Sequence, residues 1–198
     1  MSATSLVSTL SHLREISINF DFAGFLAVYI PYVYLPNMTA LKGIDGDSSA
    51  LIISIIGVSN TVGRVAVGAF VDLPCVSSLV VTNISLIMSG VCMFAFPFCN
   101  DFTGFVVVAL LLGVSLSAFI SLTSIVLVDL LGIDSLTSSF GMLVWFRGIA
   151  SILGPPLAGI VFDWTQDYDA SFYMAGTFFI SGGILSFIAF FMEKLLKK

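Results

Sequence analysis

Six apolar segments, each about twenty residues or longer, occupy most of the 198 residues of the chain. As an α-helix that rises about 1.5 Å per residue, such a segment is long enough to cross ~30 Å of hydrocarbon. Polar and turn-forming residues cluster between the segments. The sequence therefore predicts an all-α membrane protein, with a leader over 1–15, one domain over 16–192 and a basic tail over 193–198. The predicted spans are 16–35, 49–71, 76–98, 103–130, 138–162 and 170–192.

The composition agrees with a bilayer environment and excludes several other functions. Hydrophobic residues make up 58% of the chain and charged residues 10%, whereas soluble domains carry about 25% charged residues. A net charge of −5 argues against nucleic-acid binding, which needs basic patches. Three cysteines and one histidine lack metal-ligand spacing. We therefore predict no catalytic residues, metal or cofactor, and no enzyme activity. The Ser/Thr-rich start lacks the pattern of a cleavable signal peptide.

The distribution of Lys and Arg predicts the orientation of the spans. Six spans place both termini on one side, which holds Arg14 and the lysines of the tail, whereas the loops of the other side hold only Lys42. Because cytoplasmic loops carry an excess of Lys and Arg, both termini are predicted to be cytoplasmic. The expected location is the plasma membrane. Asn37-Met38-Thr39 is a candidate glycosylation site on the outer side.

Two arginines lie inside predicted spans, where charge is costly and usually functional. Arg64 lies in span two and Arg147 in span five, both slightly to the cytoplasmic side of the midplane. Asp21, Asp72 and Asp129 are predicted near cytoplasmic ends, so no acid is expected at that depth. A substrate, another chain or cavity water is then expected to compensate the two cations. The structural alternative is that Arg64 reaches Asp72 or freed carbonyls, and that Arg147 reaches the interface.

The face around Arg64 favours a cavity. Asn60 precedes Arg64 by one helical turn, so both side chains can address one ligand. Gly57 and Gly68 continue the same polar and small stripe. The alternative is that the glycines only allow another helix to approach closely.

Span one carries a second set of candidates. Tyr29 and Tyr32 lie on one face and are candidate ligand contacts, although such aromatic stripes more often serve packing. Pro31 removes a backbone donor within the helix and can kink it. Span five contains the breaker Gly154-Pro155-Pro156. Interrupted membrane helices often line cavities and moving parts, so Pro31 and this triplet are candidate hinge or gating residues.

A series of short motifs runs through the spans in a fixed order. They are Tyr32–Pro36 (YVYLP), Ser54–Arg64 (SIIGVSNTVGR) with Gly68 and Asp72, Asp129–Gly132 (DLLG), and Gly154–Gly159 (GPPLAG) with Asp163. From about Ile16 onward the chain resembles the second half of a monocarboxylate transporter of the major facilitator superfamily. The resemblance implies a carrier of two six-helix halves with the substrate between them, and it makes these spans helices seven to twelve.

The resemblance also implies roles for individual residues. In the lactate carriers of this family, an acid and an arginine one turn apart in the eighth helix handle proton and carboxylate. Arg64 matches that arginine, but the position of the acid holds Asn60. Because an amide cannot take up a proton at physiological pH, proton symport is in question. Ser124 takes the place of a tenth-helix aromatic, which implies a roomier pocket. The implied substrate is a small carboxylate or zwitterion, moved by alternating access.

The first six helices of such a carrier are not in this sequence. The expected partners are therefore the missing first half or a second membrane chain, besides the lipid bilayer. We expect the chain to be a fragment, the result of a truncated gene model or a true half-length product. The alternative function is a non-transporting half-length protein that associates with a full-length carrier.

Overall fold

The computed structural model describes Asn19 and residues 21–71, 77–131 and 136–196. The side chains of residues 124, 127–131, 136–139 and 188–196 lie outside this description. The described residues form helices, one short 3-10 turn over Phe96–Phe98 and connecting loops, without a strand. The helices are α1 (21–28), α2 (Ile30–Leu41), α3 (Gly46–Val71), α4 (Ser78–Ala95), α5 (Phe102–Leu131), α6 (Leu136–Thr165) and α7 (Tyr168–Leu196).

The first predicted span consists of two helices. α1 and α2 are separated by a turn at Tyr29, immediately before the first turn of α2, which contains Pro31. Pro31 lacks the N–H that would bond the carbonyl of Ala27, and its ring crowds that carbonyl, so the ladder is interrupted here. α2 then continues through Pro36 to Leu41, beyond the predicted end at Leu35. A single proline removes one ladder bond but does not remove the apolar packing of the residues that follow.

Five helices in the described part of the chain, α3 to α7, are long and apolar enough to cross a bilayer. Each begins and ends within a few residues of the predicted spans two to six. The first predicted span lies partly outside the described residues, as does the whole leader. Residues 193–196 of the predicted tail belong to α7.

The helices pack around α5, which contacts α3, α4 and α6. α7 covers α4 and α6 on the far side, and α2 touches α3, α6 and α7. Close approach depends on small residues: a Cβ built at Gly113 of α5 would lie 2.6 Å from the carbonyl oxygen of Ile56 in α3. Small residues of this kind let membrane helices bring their backbones together.

The core and the least buried helices lie in different parts of the bundle. Fully buried phenylalanines fill the space between α4, α5 and α7, with ring centroids 5.5 Å apart for Phe96 and Phe172 and 6.5 Å apart for Phe119 and Phe179. α3 and α6 are the least buried of the five long helices. The two arginines predicted within the membrane lie on these two helices.

Candidate functional site

Arg64 is held on α3 by a neighbour from its own helix. Its Nε donates a hydrogen bond to Oδ1 of Asn60, 3.0 Å away and one turn earlier. The Asn60 amide nitrogen in turn donates to the carbonyl of Gly113 in α5, at 3.4 Å. Asn60 thereby links Arg64 to the neighbouring helix. Asp72, the alternative partner from the sequence, lies outside the described residues.

The contact with Asn60 leaves the outer edge of the Arg64 guanidinium available. Only Nε is bonded to Asn60, so Nη1 and Nη2 point away from that contact. Arg64 is exposed, and it has no ion pair with any acid whose side chain the structure describes. Two parallel N–H groups in this arrangement match the two oxygens of a carboxylate.

The two tyrosines predicted as ligand contacts lie at the break between α1 and α2. Tyr32 is half-buried and lies within electrostatic range of Arg64. Tyr29 is 43% exposed, and its ring centroid is 6.4 Å from that of Tyr32. The structure therefore brings Arg64, Asn60 and Tyr32 into one region with Tyr29 at its side. Ser124 lies in α5, but its side chain is outside the described part of the chain.

Arg147 has an acidic partner, so the expectation that no acid lies at its depth is wrong. Its Nε and Nη2 each donate to one carboxylate oxygen of Asp21, both at 2.7 Å. The side chain of Asp21 is 1% exposed and that of Arg147 is 13% exposed. Counting residues along separate spans missed the pair because such counting ignores the reach of an arginine side chain and the crossing of the two helices.

Three helices surround this ion pair. The Arg147 guanidinium lies 4.6 Å from the ring centroid of Phe25 in α1, in a cation–π contact. Thr123 of α5 lies close to the Asp21 carboxylate, and its hydroxyl donates to the carbonyl of Phe119 in its own helix at 2.6 Å. Phe22 and Phe146 meet edge to face beside the pair, with centroids 6.2 Å apart. The pair therefore joins α1 and α6, with α5 beside it.

The Gly154-Pro155-Pro156 segment, predicted as a hinge, lies inside a continuous α6. A Cβ at Gly154 would overlap the backbone of Leu26 in α1, so glycine is required for this crossing. The Tyr34 hydroxyl donates to the carbonyl of Pro155 at 2.9 Å. This segment is the surface on which α1 and α2 pack, and its role as a hinge remains a prediction.

Lys42, the predicted outer-loop cation, connects the loop after α2 to the segment between α4 and α5. Its ammonium donates to the carbonyls of Pro97 and Cys99, at 2.7 Å for Cys99, and lies 5.7 Å from the Phe105 ring centroid. Burial raises the pKa of the adjacent Cys99 thiol, and the positive charge of Lys42 partly offsets this rise. Sequence reasoning did not find this contact, because its acceptors are backbone carbonyls that carry no sequence signal.

The side chains gathered here have the groups needed to bind a charged ligand. Two cations, an amide and two phenols are carried by α2, α3, α6 and the turn at Tyr29. The described residues contain no cluster of His, Cys, Asp and Glu suited to a metal ion. A bundle of long apolar helices with cations on its least buried members defines a polytopic helical membrane protein.

The chain belongs to the major facilitator superfamily, whose family model matches residues 21–198. It is 34% identical to human monocarboxylate transporter 14 over 167 residues. This aligned region covers 82% of this chain and 31% of the relative. It is 31% identical to chicken monocarboxylate transporter 9, over 86% of this chain and 33% of the relative. Mouse monocarboxylate transporter 10 is 30% identical, over 86% of this chain and 34% of the relative. The chain thus spans about a third of the length of these relatives.

These similarities confirm the prediction of an all-α membrane protein that resembles monocarboxylate transporters. The family resemblance was visible in the sequence because its motifs include glycines, prolines and charges within apolar spans. The Asp21–Arg147 pair was not visible, because its two members are separated by most of the chain.

Proposed function

We propose that this chain forms the second half of a monocarboxylate transporter-like carrier that moves a small carboxylate or zwitterionic metabolite by alternating access. The names of the similar proteins support this class of substrate. In such carriers two halves rock around a site near the middle of the membrane. α3 and α6, the least buried of the long helices, would line that site and face the other half.

The observation that carries the proposal is the free outer edge of Arg64. The bond from Nε to Asn60 fixes the plane of the guanidinium, so Nη1 and Nη2 are oriented before a ligand arrives. A substrate carboxylate would accept both N–H groups in a charge-assisted, bidentate contact. Tyr32 and Tyr29 would form the adjacent wall and offer phenol groups to the remainder of the substrate.

Asn60 would act on Arg64 more than on the ligand. Its oxygen already accepts from Arg64 and its nitrogen donates to Gly113, which differs from the direct ligand contact expected from the sequence. Because an amide does not take up a proton at physiological pH, the Arg64 site itself would bind the anion without a proton.

Movement of the domain would use the break at Tyr29 and Pro31 and the Gly154-Pro155-Pro156 segment. The first lacks a complete hydrogen-bond ladder, and the second is where α1 and α2 rest on α6.

We further propose a plasma-membrane location with cytoplasmic termini, from the Lys and Arg bias. Protease access to a tag on either terminus, in sealed and in opened cells, tests that orientation.

The central test is ligand binding to the 198-residue chain in lipid nanodiscs. Labelled lactate, alanine and the neutral amide of lactate serve as carboxylate, zwitterion and uncharged probes. We expect lactate or alanine to bind more tightly than the amide, and Arg64→Ala to remove that preference. Thr61→Ala is the matched control, because Thr61 is exposed on the same helix and bonds only within it. Equal binding of all probes, or unchanged binding after Arg64→Ala, contradicts the proposal.

A second candidate is a non-transporting half-length protein that associates with a full-length carrier. The apolar side chains exposed on α3 and α6, such as Val58, Val62 and Ile152, favour this alternative as well, since another chain would cover them. Co-purification of the chain with a full carrier, combined with no probe binding by the chain alone, would favour it over the first proposal.

A further inference from the structure

Two buried polar atoms lie in the interior of the bundle without a hydrogen bond. They are Oδ1 of Asn83 in α4 and Oγ of Ser186 in α7, and neither bonds any group in the part of the chain that the structure describes. Asn83 is 5% exposed and Ser186 is 0% exposed. Buried polar atoms are almost always hydrogen-bonded, because an unmade bond costs the full desolvation of the group. Both atoms therefore require a partner.

Ser186 departs from the pattern of other buried serines in the bundle. Ser85 and Ser89 of α4 donate to carbonyls of their own helix at 2.7 Å and 2.8 Å. Ser171 of α7 donates at 2.8 Å to the carbonyl of Ala158 in α6. A serine within a helix commonly bonds a carbonyl of the preceding turn. The Ser186 hydroxyl makes no such bond, so it is available to a group in the interface between helices.

The contacts between α4 and α7 place Asn83 and Ser186 opposite each other. The facing pairs are Phe94 with Tyr173, Gly90 with Gly176, and Ile87 with Gly183. The two helices are therefore antiparallel, because the positions decrease along α4 while they increase along α7. Asn83 lies four residues before Ile87, and Ser186 lies three residues after Gly183. Both steps are one helical turn along the same face, so Asn83 and Ser186 form the next layer of this interface.

We propose that one water molecule binds between α4 and α7 and bridges Oδ1 of Asn83 to Oγ of Ser186. The amide oxygen accepts a hydrogen bond and the hydroxyl can donate or accept, so a water satisfies both atoms. The two atoms do not bond each other, and two hydrogen bonds through a water reach across about 5 Å. Buried waters commonly bond otherwise unsatisfied polar groups, and ordered waters do the same between membrane helices.

The ligand set favours water over a cation or a larger solute. Two neutral oxygens are too few for a hard cation such as Ca²⁺, which takes about six to eight oxygen ligands. The burial of both side chains leaves no open surface for a larger molecule. The bound water joins α4 to α7 by hydrogen bonds where the glycine contacts end. This site is separate from Arg64, and its test uses no substrate.

The test is transfer of magnetisation from water to backbone amide protons, measured by solid-state NMR on the 198-residue chain in deuterated lipid bilayers. The chain is expressed in H₂O from deuterated nutrients, so that its amides carry protons. We expect clear transfer to the amides of Asn83 and Ser186, and several-fold weaker transfer to those of Gly90 and Ile180, which pack in the same interface. Transfer to Asn83 and Ser186 that is no stronger than to Gly90 and Ile180 overturns the inference.

A double variant assigns the water to these two atoms. Asn83→Leu with Ser186→Ala removes both polar atoms together, so neither is left without its partner, and transfer to positions 83 and 186 should be lost. The matched control is Ser181→Ala, because Ser181 is exposed on α7 and bonds only within that helix; transfer should be unchanged. Transfer that persists in the double variant, or is lost in the control, contradicts the assignment. The measurement on the unmodified chain decides whether water is bound, independently of how the variants fold.

Discussion

Arg64 and Arg147 are the same residue type at similar positions within apolar helices, yet the structure places them in opposite situations. Arg64 is exposed and bonded through Nε to a neutral amide on its own helix. Arg147 is mostly buried and bonded through two nitrogens to an acid on another helix. The outer edge of the Arg64 guanidinium is not used in its contact with Asn60, whereas the Nε–Nη2 edge of Arg147 is occupied by Asp21.

The difference teaches that an intramembrane cation is not by itself evidence for a ligand. An isolated contact between side chains one turn apart on an exposed helix contributes about 0.2–0.5 kcal/mol. Breaking a buried ion pair costs about 3–5 kcal/mol, because the remaining charge is uncompensated. Arg147 therefore contributes to the stability of the domain, and Arg64 is the cation that can change partner at low cost.

The largest effect is expected from removing Asp21. Asp21→Ala leaves Arg147 buried without a counter-ion and should lower the free energy of unfolding by about 3–5 kcal/mol. Arg64→Ala should change it by less than about 0.5 kcal/mol. Unfolding in mixed detergent, followed by circular dichroism, measures both. Similar losses in the two variants would break the comparison between the arginines.

The second effect is on ligand affinity. Arg64→Lys retains the charge but loses the planar fork and the Nε bond to Asn60, so lactate should bind about tenfold more weakly, or about 1.4 kcal/mol. Equilibrium binding in nanodiscs measures the change, with Thr61→Ala as the reference. Affinity equal to that of the unmodified chain would show that charge alone, without the fork, holds the carboxylate.

Asn60→Asp should add a pH dependence that the native Arg64 site lacks. At neutral pH the new carboxylate neutralises Arg64 and competes with lactate, so affinity should fall several-fold. As the pH decreases, the new acid is protonated and lactate affinity should recover. Binding measured between about pH 5 and 8 tests the direction. An affinity that falls further at low pH would argue against Arg64 as the carboxylate site.

The smallest change in the free energy of unfolding is expected from removing a hydrogen bond between uncharged groups in the interface that also contains the ion pair. Tyr34→Phe removes the hydrogen bond from Tyr34 to the carbonyl of Pro155 and should cost about 0.5–1.5 kcal/mol. Unfolding under the same conditions as for Asp21→Ala compares the loss in free energy of unfolding caused by removing the hydrogen bond with the loss caused by breaking the ion pair. A loss as large as that of Asp21→Ala would mean that helix contact, rather than charge, dominates this interface.

The sequence alone determined the class of protein. Runs of about twenty apolar residues must be helices in a bilayer, because every backbone polar group has to be satisfied within its own segment. The break near Pro31 was also predictable, since proline lacks the N–H and crowds the preceding turn. Arg64 and Asn60 were placed on one face because helical spacing puts residues four apart one turn away from each other, whereas the hydrogen bond between them was not predicted.

Only the tertiary structure decided which cation has a partner. Asp21 and Arg147 are 126 positions apart, and no periodicity connects residues at such a distance. Their contact depends on how closely α1 and α6 cross, which Gly154 permits beside the backbone of Leu26. Local spacing fixes contacts along a helix, whereas contacts between helices depend on packing. For this reason the six apolar segments could be predicted from the sequence and the ion pair could not.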